Sequence, residues 1–316
     1  MNEIPASVRG RQVGRFVIGT RGSPLALAQA NEFARRLAEA HGWAQEELPL
    51  EIIVTTGDSI RDRPLSGAGG KGLFTKEIDQ AQIESRIDYA VHSAKDLPTK
   101  LPDGLTIAGY LPREDVRDAL IARGISRVAD LPQGAVVGSA SLRRQAMLRR
   151  IRPDLEIVLL RGNVARRLEK VASGEIDATL LAIAGLKRLG LADKASGILS
   201  IEESLPAVGQ GAIAVAVRVG DTASAEAVQP ILCRDTGIAL AAERAFLTEL
   251  DGSCRTPIAG HATVEGDRFH LRGLLLSPDG TAVAEDSCSG PVGEAAERGA
   301  ELGRALRARA PAGIYS

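Results

Sequence analysis

Short apolar runs, each closed by a polar or glycine-bearing turn and followed by a stretch of helical periodicity, recur along this chain as far as Leu250. That alternation predicts strands feeding helices, the pattern of an α/β protein with open sheets. Arg15–Thr20 reads as the first buried strand, and Arg21-Gly22-Ser23-Pro24 turns it into a helix running to about Ala40, with Ser23 as N-cap and Pro24 at the first helical position. Strands follow at Leu48–Val54, Asp88–Ser93, Ala135–Gly138, Glu156–Leu160 and Ala178–Leu181. Helices are expected over Phe74–Glu84, from a cap at Ser141, around Arg167 and over Ala182–Leu189, and a glycine-rich loop from Thr55 to Gly70. Ala212–Val217 is a lone apolar strand behind Leu205-Pro206-Ala207-Val208-Gly209-Gln210-Gly211, and reads as a return crossing into the first lobe. After a helix over Thr236–Leu250, runs at Ile258–Val264, Arg268–Leu276 and Thr281–Ser287 are separated by Glu265-Gly266-Asp267 and Ser277-Pro278-Asp279-Gly280. These are hairpin signals, so the tail is expected to be a small antiparallel sheet closed by an alanine-rich helix over Gly293–Ala310.

Composition narrows this little, except by exclusion. A chain of 316 residues, 44% hydrophobic and 25% charged, can bury the cores of two or three domains, and with 3% aromatics those cores are aliphatic. A formal charge of −1 argues against a broad nucleic-acid or membrane surface but not against a local basic pocket. Cys233, Cys254 and Cys288 are far apart, with no CxxC pair, so neither zinc nor a disulfide framework is expected. Met1–Gln12 has no apolar signal region, and no run approaches the roughly 18 apolar residues of a membrane span. A cytoplasmic protein is expected.

The candidate chemistry sits where strands hand over to helices. At Arg21-Gly22-Ser23 the helix N-terminus and a guanidinium converge in a way that suits a carboxylate or phosphate, though a capped helix with a surface arginine has the same sequence. Lys71 is placed to be a cation on a mobile lid, while Gly69-Gly70-Lys71-Gly72 lacks the spacing of a phosphate-binding loop. Lys95 and Asp96 end a strand, where polar side chains face a ligand crevice or form a surface pair. Arg143 and Arg144 occupy the first turn of a helix, the wrong end for cations unless an anion is near. Arg161 and Arg167 flank another strand-to-helix turn, and Lys187 and Arg188 a helix C-terminus. Together these arginines read as a polyanion cleft between two lobes. Cys254, in Leu250-Asp251-Gly252-Ser253-Cys254-Arg255-Thr256-Pro257, has a neighbouring charge that favours its thiolate and makes it a candidate attachment point, yet the octapeptide alone fits a half-buried inert thiol better.

Arg21-Gly22-Ser23-Pro24-Leu25-Ala26-Leu27, His92-Ser93-Ala94-Lys95-Asp96-Leu97-Pro98, Ser141-Leu142-Arg143-Arg144-Gln145, Leu160-Arg161-Gly162-Asn163-Val164 and Gly209-Gln210-Gly211 resemble, in order and spacing, the motifs of the porphobilinogen deaminase (hydroxymethylbilane synthase) family. The resemblance runs from about Val17 to Gly260. It implies two lobes like those of periplasmic binding proteins, 13–111 with 212–230 and 116–206, and a small α+β domain over 234–316. It also implies a dipyrromethane cofactor joined to Cys254 by a thioether, and Asp96 as the catalytic carboxylate. Carried over position by position, Ser23, Lys95, Ser141, Arg143, Arg144, Gly185 and Arg188 would bind cofactor, and Arg21, Arg161, Arg167 and Gln210 would bind substrate, with Lys71 on the lid. Gly67 stands where some bacterial relatives have a second lid lysine, Ser253 and Arg255 replace the glycine and glutamine often seen beside the cysteine, and Ser139 replaces a common threonine.

The implied activity joins four porphobilinogen molecules head to tail, losing ammonia each time, and hydrolyses off the linear tetrapyrrole hydroxymethylbilane in haem biosynthesis. The implied partner is this small-molecule substrate, with no nucleic acid or membrane, and the implied state a monomer. Arginine-lined strand ends alone fit a rival, a cytosolic two-lobe polycarboxylate-binding protein. A nucleotide-binding enzyme is a second rival, lacking its phosphate fingerprint.

Overall fold

Strand β1 (Ile18–Thr20) leads through Arg21 and Gly22 to helix α1 (Pro24–His41) in a computed structural model that describes residues 16–59, 72–250, 256–310 and 314. Lys71, Cys254 and Arg255 lie outside the described residues. The α1 sequence makes its own boundaries. Ser23 has extended backbone and its Oγ accepts the Ala26 N–H, Pro24 occupies the first turn, and Gly42 ends the helix at φ 68°. Ala30, Phe33, Ala34, Leu37 and Ala38 recur at helical spacing and form the buried face. They pack with Tyr89, Val91, Ile213, Val215 and Val217 into one core.

The described chain divides into two compact units, one holding 16–59, 72–113 and 212–237 and the other the remainder. In the first, β2 (Leu50–Ile52), β3 (Tyr89–Ser93), β4 (Leu105–Tyr110) and β10 (Ile213–Arg218) join β1 in the order β2-β1-β3-β10-β4. The first three run parallel and β10 runs antiparallel between β3 and β4. The expected return crossing is therefore present. The second unit repeats the plan with β5 (Asp118–Ala122), β6 (Val136–Gly138), β7 (Glu156–Val158), β8 (Ala178–Ala182) and β9 (Gly197–Ile198) in the order β7-β6-β8-β5-β9. Here β5 is the antiparallel insertion beside β8.

The second unit also holds an antiparallel sheet of β11 (Ile258–Glu265), β12 (Arg268–Leu276) and β13 (Val283–Pro291), with α9 (Ala295–Ala308) packed on it. Phe246 of α8 (Arg234–Glu249) fills the core of that sheet. Ala146 and Met147 of α4 (Leu142–Ile151) share a buried cluster with Ala259, Leu274 and Leu276. Gly280, at φ 76° in the β12–β13 turn, makes this approach possible, because a Cβ there would fall 2.4 Å from the Ala146 carbonyl oxygen.

Some elements differ from the expectation. β4, β5 and β9 were not anticipated. The loop expected to open at Thr55 instead begins with a helical turn, α2 (Thr56–Ser59). Its partners are remote in sequence: the Gly57 N–H donates to the Leu73 carbonyl at 2.7 Å, and the Thr56 N–H to Glu77 Oε1 at 3.1 Å. A local pattern carries no trace of bonds that arrive from the start of α3 (Lys76–Ile83).

Candidate functional site

In the first unit, the turn after β1 and the end of β3 line one small cavity. Its walls include Arg21, Ser23, Phe74, His92 and Asp96. Asp96 lies in a single 3-10 turn directly after β3 and is exposed, and its carboxylate has no hydrogen-bond or ion-pair partner among the described residues. Lys95 beside it is exposed as well. Arg21 is anchored: its Nε donates to Asp58 Oδ2 at 3.2 Å, its Nη2 to Asp58 Oδ1, and its Cζ lies 4.2 Å from the centroid of the Phe74 ring. Burial pushes the Asp58 carboxyl up, but hydrogen bonds from Arg21 and Thr55 outweigh it and hold it below the usual range. Gln29 Nε2 donates to Ser93 Oγ at 2.9 Å on the cavity wall.

His92 is 5% exposed, and its Nε2 has no partner among the described residues. Burial, with the Arg21 charge added, lowers its pKa from 6.5 to about 4, so the ring is neutral at neutral pH.

The second unit answers the question posed by two arginines at a helix N-terminus. Ser141 caps α4 by accepting the Arg144 N–H at 3.4 Å, as expected, and the anion is internal. Asp118, fully buried at the start of β5, accepts from Arg143 Nη2 through Oδ2 and from Arg144 Nη2 through Oδ1, both at 2.7 Å. Arg143 Nη1 also donates to the Leu205 carbonyl at 2.7 Å, and Arg144 Nη1 to the Leu180 carbonyl at 3.0 Å. Gln210 closes the cluster, its Nε2 donating to the Val116 carbonyl and, at 2.9 Å, to Asp118 Oδ1. Burial alone would raise the Asp118 pKa; the two guanidiniums outweigh it and drive the carboxyl far below the ordinary carboxylate range. One carboxylate against two guanidiniums leaves a net positive charge, and Nε of both arginines is enclosed without a partner among the described residues.

The remaining predicted residues are distributed around this cluster's sheet. Arg161 is half-buried before α5 (Val164–Ala172), and Arg167 Nε donates to the Gly162 carbonyl at 2.9 Å. Gly185 is buried in α6 (Ile183–Arg188), and Arg188 Nη2 donates to the Gly211 carbonyl at 3.0 Å. Lys187 pairs with Glu114 at 2.7 Å.

Three important residues were not singled out by pattern. Asp58 sits inside a segment expected to be mobile, and Asp118 lies far from both arginines in sequence. Glu243 of α8 is fully buried and accepts the Gly209 N–H at 2.8 Å and the Ala262 N–H at 2.7 Å, pinning the segment that carries Gln210 to β11.

Comparison with known proteins gives the following. A family model described as "Porphobilinogen deaminase, dipyromethane cofactor binding domain" matches residues 16–226, and one described as "Porphobilinogen deaminase, C-terminal domain" matches residues 238–308. Proteins named porphobilinogen deaminase from Nitrobacter hamburgensis and Nitrobacter winogradskyi are each 57% identical over 293 residues, which is 93% of this chain and 93% of theirs. Among solved structures, a YaeC-family lipoprotein from Enterococcus faecalis overlays with a TM-score of 0.40 at 14% identity, covering 76% of this chain and 97% of that one. No described helix is long and apolar enough to cross a membrane.

Proposed function

The chain belongs to the porphobilinogen deaminase family, and on that premise we propose how its residues divide the work of joining porphobilinogen units with loss of ammonia. The family reaction serves tetrapyrrole and haem biosynthesis and uses a dipyrromethane cofactor, and neither the polycarboxylate-binding nor the nucleotide-binding alternative gains support. The finer assignment is hydroxymethylbilane synthase, releasing the linear tetrapyrrole by hydrolysis.

One observation carries the site reading: the Asp96 carboxylate is exposed, free of described partners, and lines the same cavity as Arg21 and Ser23. Departure of ammonia from the substrate's aminomethyl group leaves positive charge on its pyrrole. A carboxylate at about 4 Å, with an effective dielectric near 20, stabilises such a charge by on the order of 4 kcal/mol, close to a thousandfold in rate. Asp96 is available for that because no cation among the described residues consumes it. Arg21 takes a substrate carboxylate in the same cavity, and Arg161 and Arg167 serve the growing chain's acidic arms.

The donor set fits a dipyrromethane with acidic arms. The Asp118 cluster has an excess positive charge and two enclosed Nε donors with no partner among the described residues. Arg143, Arg144, Ser141 and Arg188 would hold the group, with Lys95 and Ser23, and Cys254 would be its attachment point. When bound it supplies the terminal pyrrole onto which substrate is added. Asp118 and Gln210 keep the arginine pair in place, and Glu243 keeps Gln210's segment in place.

Asp96→Asn tests the central role. It should fold, carry the cofactor mass, and turn over about a thousandfold more slowly; near-normal turnover would sink the assignment. Intact mass tests the tether: an excess of two pyrrole rings lost in Cys254→Ser supports it, and an unmodified active protein refutes it.

A further inference from the structure

We infer that Asp58 is a positioning residue for Arg21, holding one edge of its guanidinium so that the other edge is presented to a substrate carboxylate. The inference rests on the reading of Arg21 as a substrate-binding residue. A guanidinium offers a carboxylate two edges, the side-on pair Nε/Nη2 and the end-on pair Nη1/Nη2. Asp58 occupies the side-on edge with both oxygens. Phe74 covers one face, which fixes the plane, and the two-point contact with Asp58 fixes rotation within that plane. Nη1 has no partner among the described residues, and Arg21 lines the cavity that Asp96 also lines.

Asp58 is itself held. The hydroxyl of Thr55, a residue 1% exposed, donates to Asp58 Oδ2 at 2.8 Å. The α2 turn carrying Asp58 is tied to Leu73 through the Gly57 N–H, and the absence of a Cβ on Gly57 leaves room for the Phe74 ring, which such an atom would meet at 2.4 Å. Thus one short turn supplies the carboxylate and also seats the ring.

Two effects of Asp58 oppose each other. Its charge offsets that of Arg21, and its geometry directs Arg21. Arg21 and Asp58 side chains are 20% and 29% exposed, so solvent screens the charge effect, whereas the loss of direction frees a long side chain to grip substrate by the wrong edge. Direction is therefore the effect that decides the outcome.

The experiment is steady-state kinetics with porphobilinogen on cofactor-loaded protein, loading checked by intact mass, for Asp58→Asn, Arg21→Ala, the double variant and Asp58→Glu, with thermal melting of each. Asp58→Asn should raise KM about three- to tenfold, the cost of ordering one free side chain, with a smaller change in kcat. It should add nothing in the Arg21→Ala background, and Asp58→Glu should recover part of the loss. An unchanged or lowered KM in Asp58→Asn, with KM raised in Arg21→Ala, overturns the positioning role alone. Additive losses in the double variant also overturn it, because they indicate a general structural effect. An Arg21→Ala protein with normal KM overturns the substrate-binding reading of Arg21 and the inference with it.

Discussion

In the first sheet the antiparallel crossing strand begins with Ile213, opposite Ser93 at the end of β3; in the second sheet the strand in the corresponding place begins with Asp118, opposite Ala182 at the end of β8. Around this difference the two sheets match closely. Val17 N–H donates to Asp88 Oδ2 at 2.9 Å in one, and Val136 N–H to Asp177 Oδ2 at 2.8 Å in the other. Each of those aspartates meets an arginine at the far end of the crossing strand, Arg218 at 2.9 Å and Arg123 at 3.7 Å. The repeated pairs hold the scaffold. Where the sheets diverge, the second has an internal counter-ion for its two arginines, and in the first no described residue claims Asp96 or the Nη1 side of Arg21. Similar sheet plans thus carry an internally paired ion cluster in one unit and exposed polar groups around a cavity in the other.

The comparison breaks most sharply at Asp118. Asp118→Ala leaves two buried guanidiniums without an anion and should cost about 3–5 kcal/mol in urea unfolding. Asp58, whose pair with Arg21 is partly solvated, should cost at most about 1 kcal/mol when replaced by Asn. Comparable losses at the two positions would refute the division between a structural and a functional ion pair.

Acid sharpens the contrast next. His92 has a folded pKa of about 4, below its unfolded value of 6.5, so the unfolded chain binds the proton more readily between those limits. Stability should therefore fall as pH drops from about 6.5 to about 4, by on the order of 3 kcal/mol at the lower limit. His92→Leu should flatten that slope, read as urea midpoints at pH 7 and pH 4.5, whereas an unchanged slope would assign it to other groups. Asp118 has a depressed folded pKa. Its contribution is complete above the unfolded value of about 4 and is lost only as pH falls below that.

The smallest effect concerns the turns that precede β3 and β8. Gly174 takes φ 79° in the second sheet, while in the first Ser85 holds φ 61°, the only positive-φ residue other than glycine among those described. Ser85→Gly should stabilise the protein by about 0.5–1 kcal/mol, by relief of left-handed strain net of glycine's greater chain entropy. A lower melting temperature would mean that the serine side chain contributes more than its strain costs.

Much of the scaffold was legible because its signals are local. Ser23, Ser141 and Asn163 each cap a helix through an oxygen that accepts an N–H three residues on, and such caps can be read from a few letters. The hairpin turns of the C-terminal sheet are equally local. Asp96 was legible as a strand-end carboxylate, and the motif resemblance supplied the role proposed for it. β5 was missed because its first residue is a fully buried aspartate, which a hydrophobic pattern excludes. The two misplaced arginines did announce an anion, but only the fold brings Asp118 to them. Asp58 was hidden in turn-like sequence because bonds to Leu73 and Glu77, not its own periodicity, make α2 helical.

The crossing strand also sets an order of assembly. β10 separates β3 from β4, so β4 and the facing edge of β3 stay unpaired until Ile213–Arg218 has left the ribosome, about a hundred residues after Tyr110. At roughly 5–20 residues per second, β3 and β4 wait some 5–20 s with open edges facing each other. The second sheet has a shorter wait, since all five of its strands fall within Asp118–Ile198. Of these two sheets the one begun first is therefore finished last, and while half-made it is a point of exposure to aggregation and to chaperones.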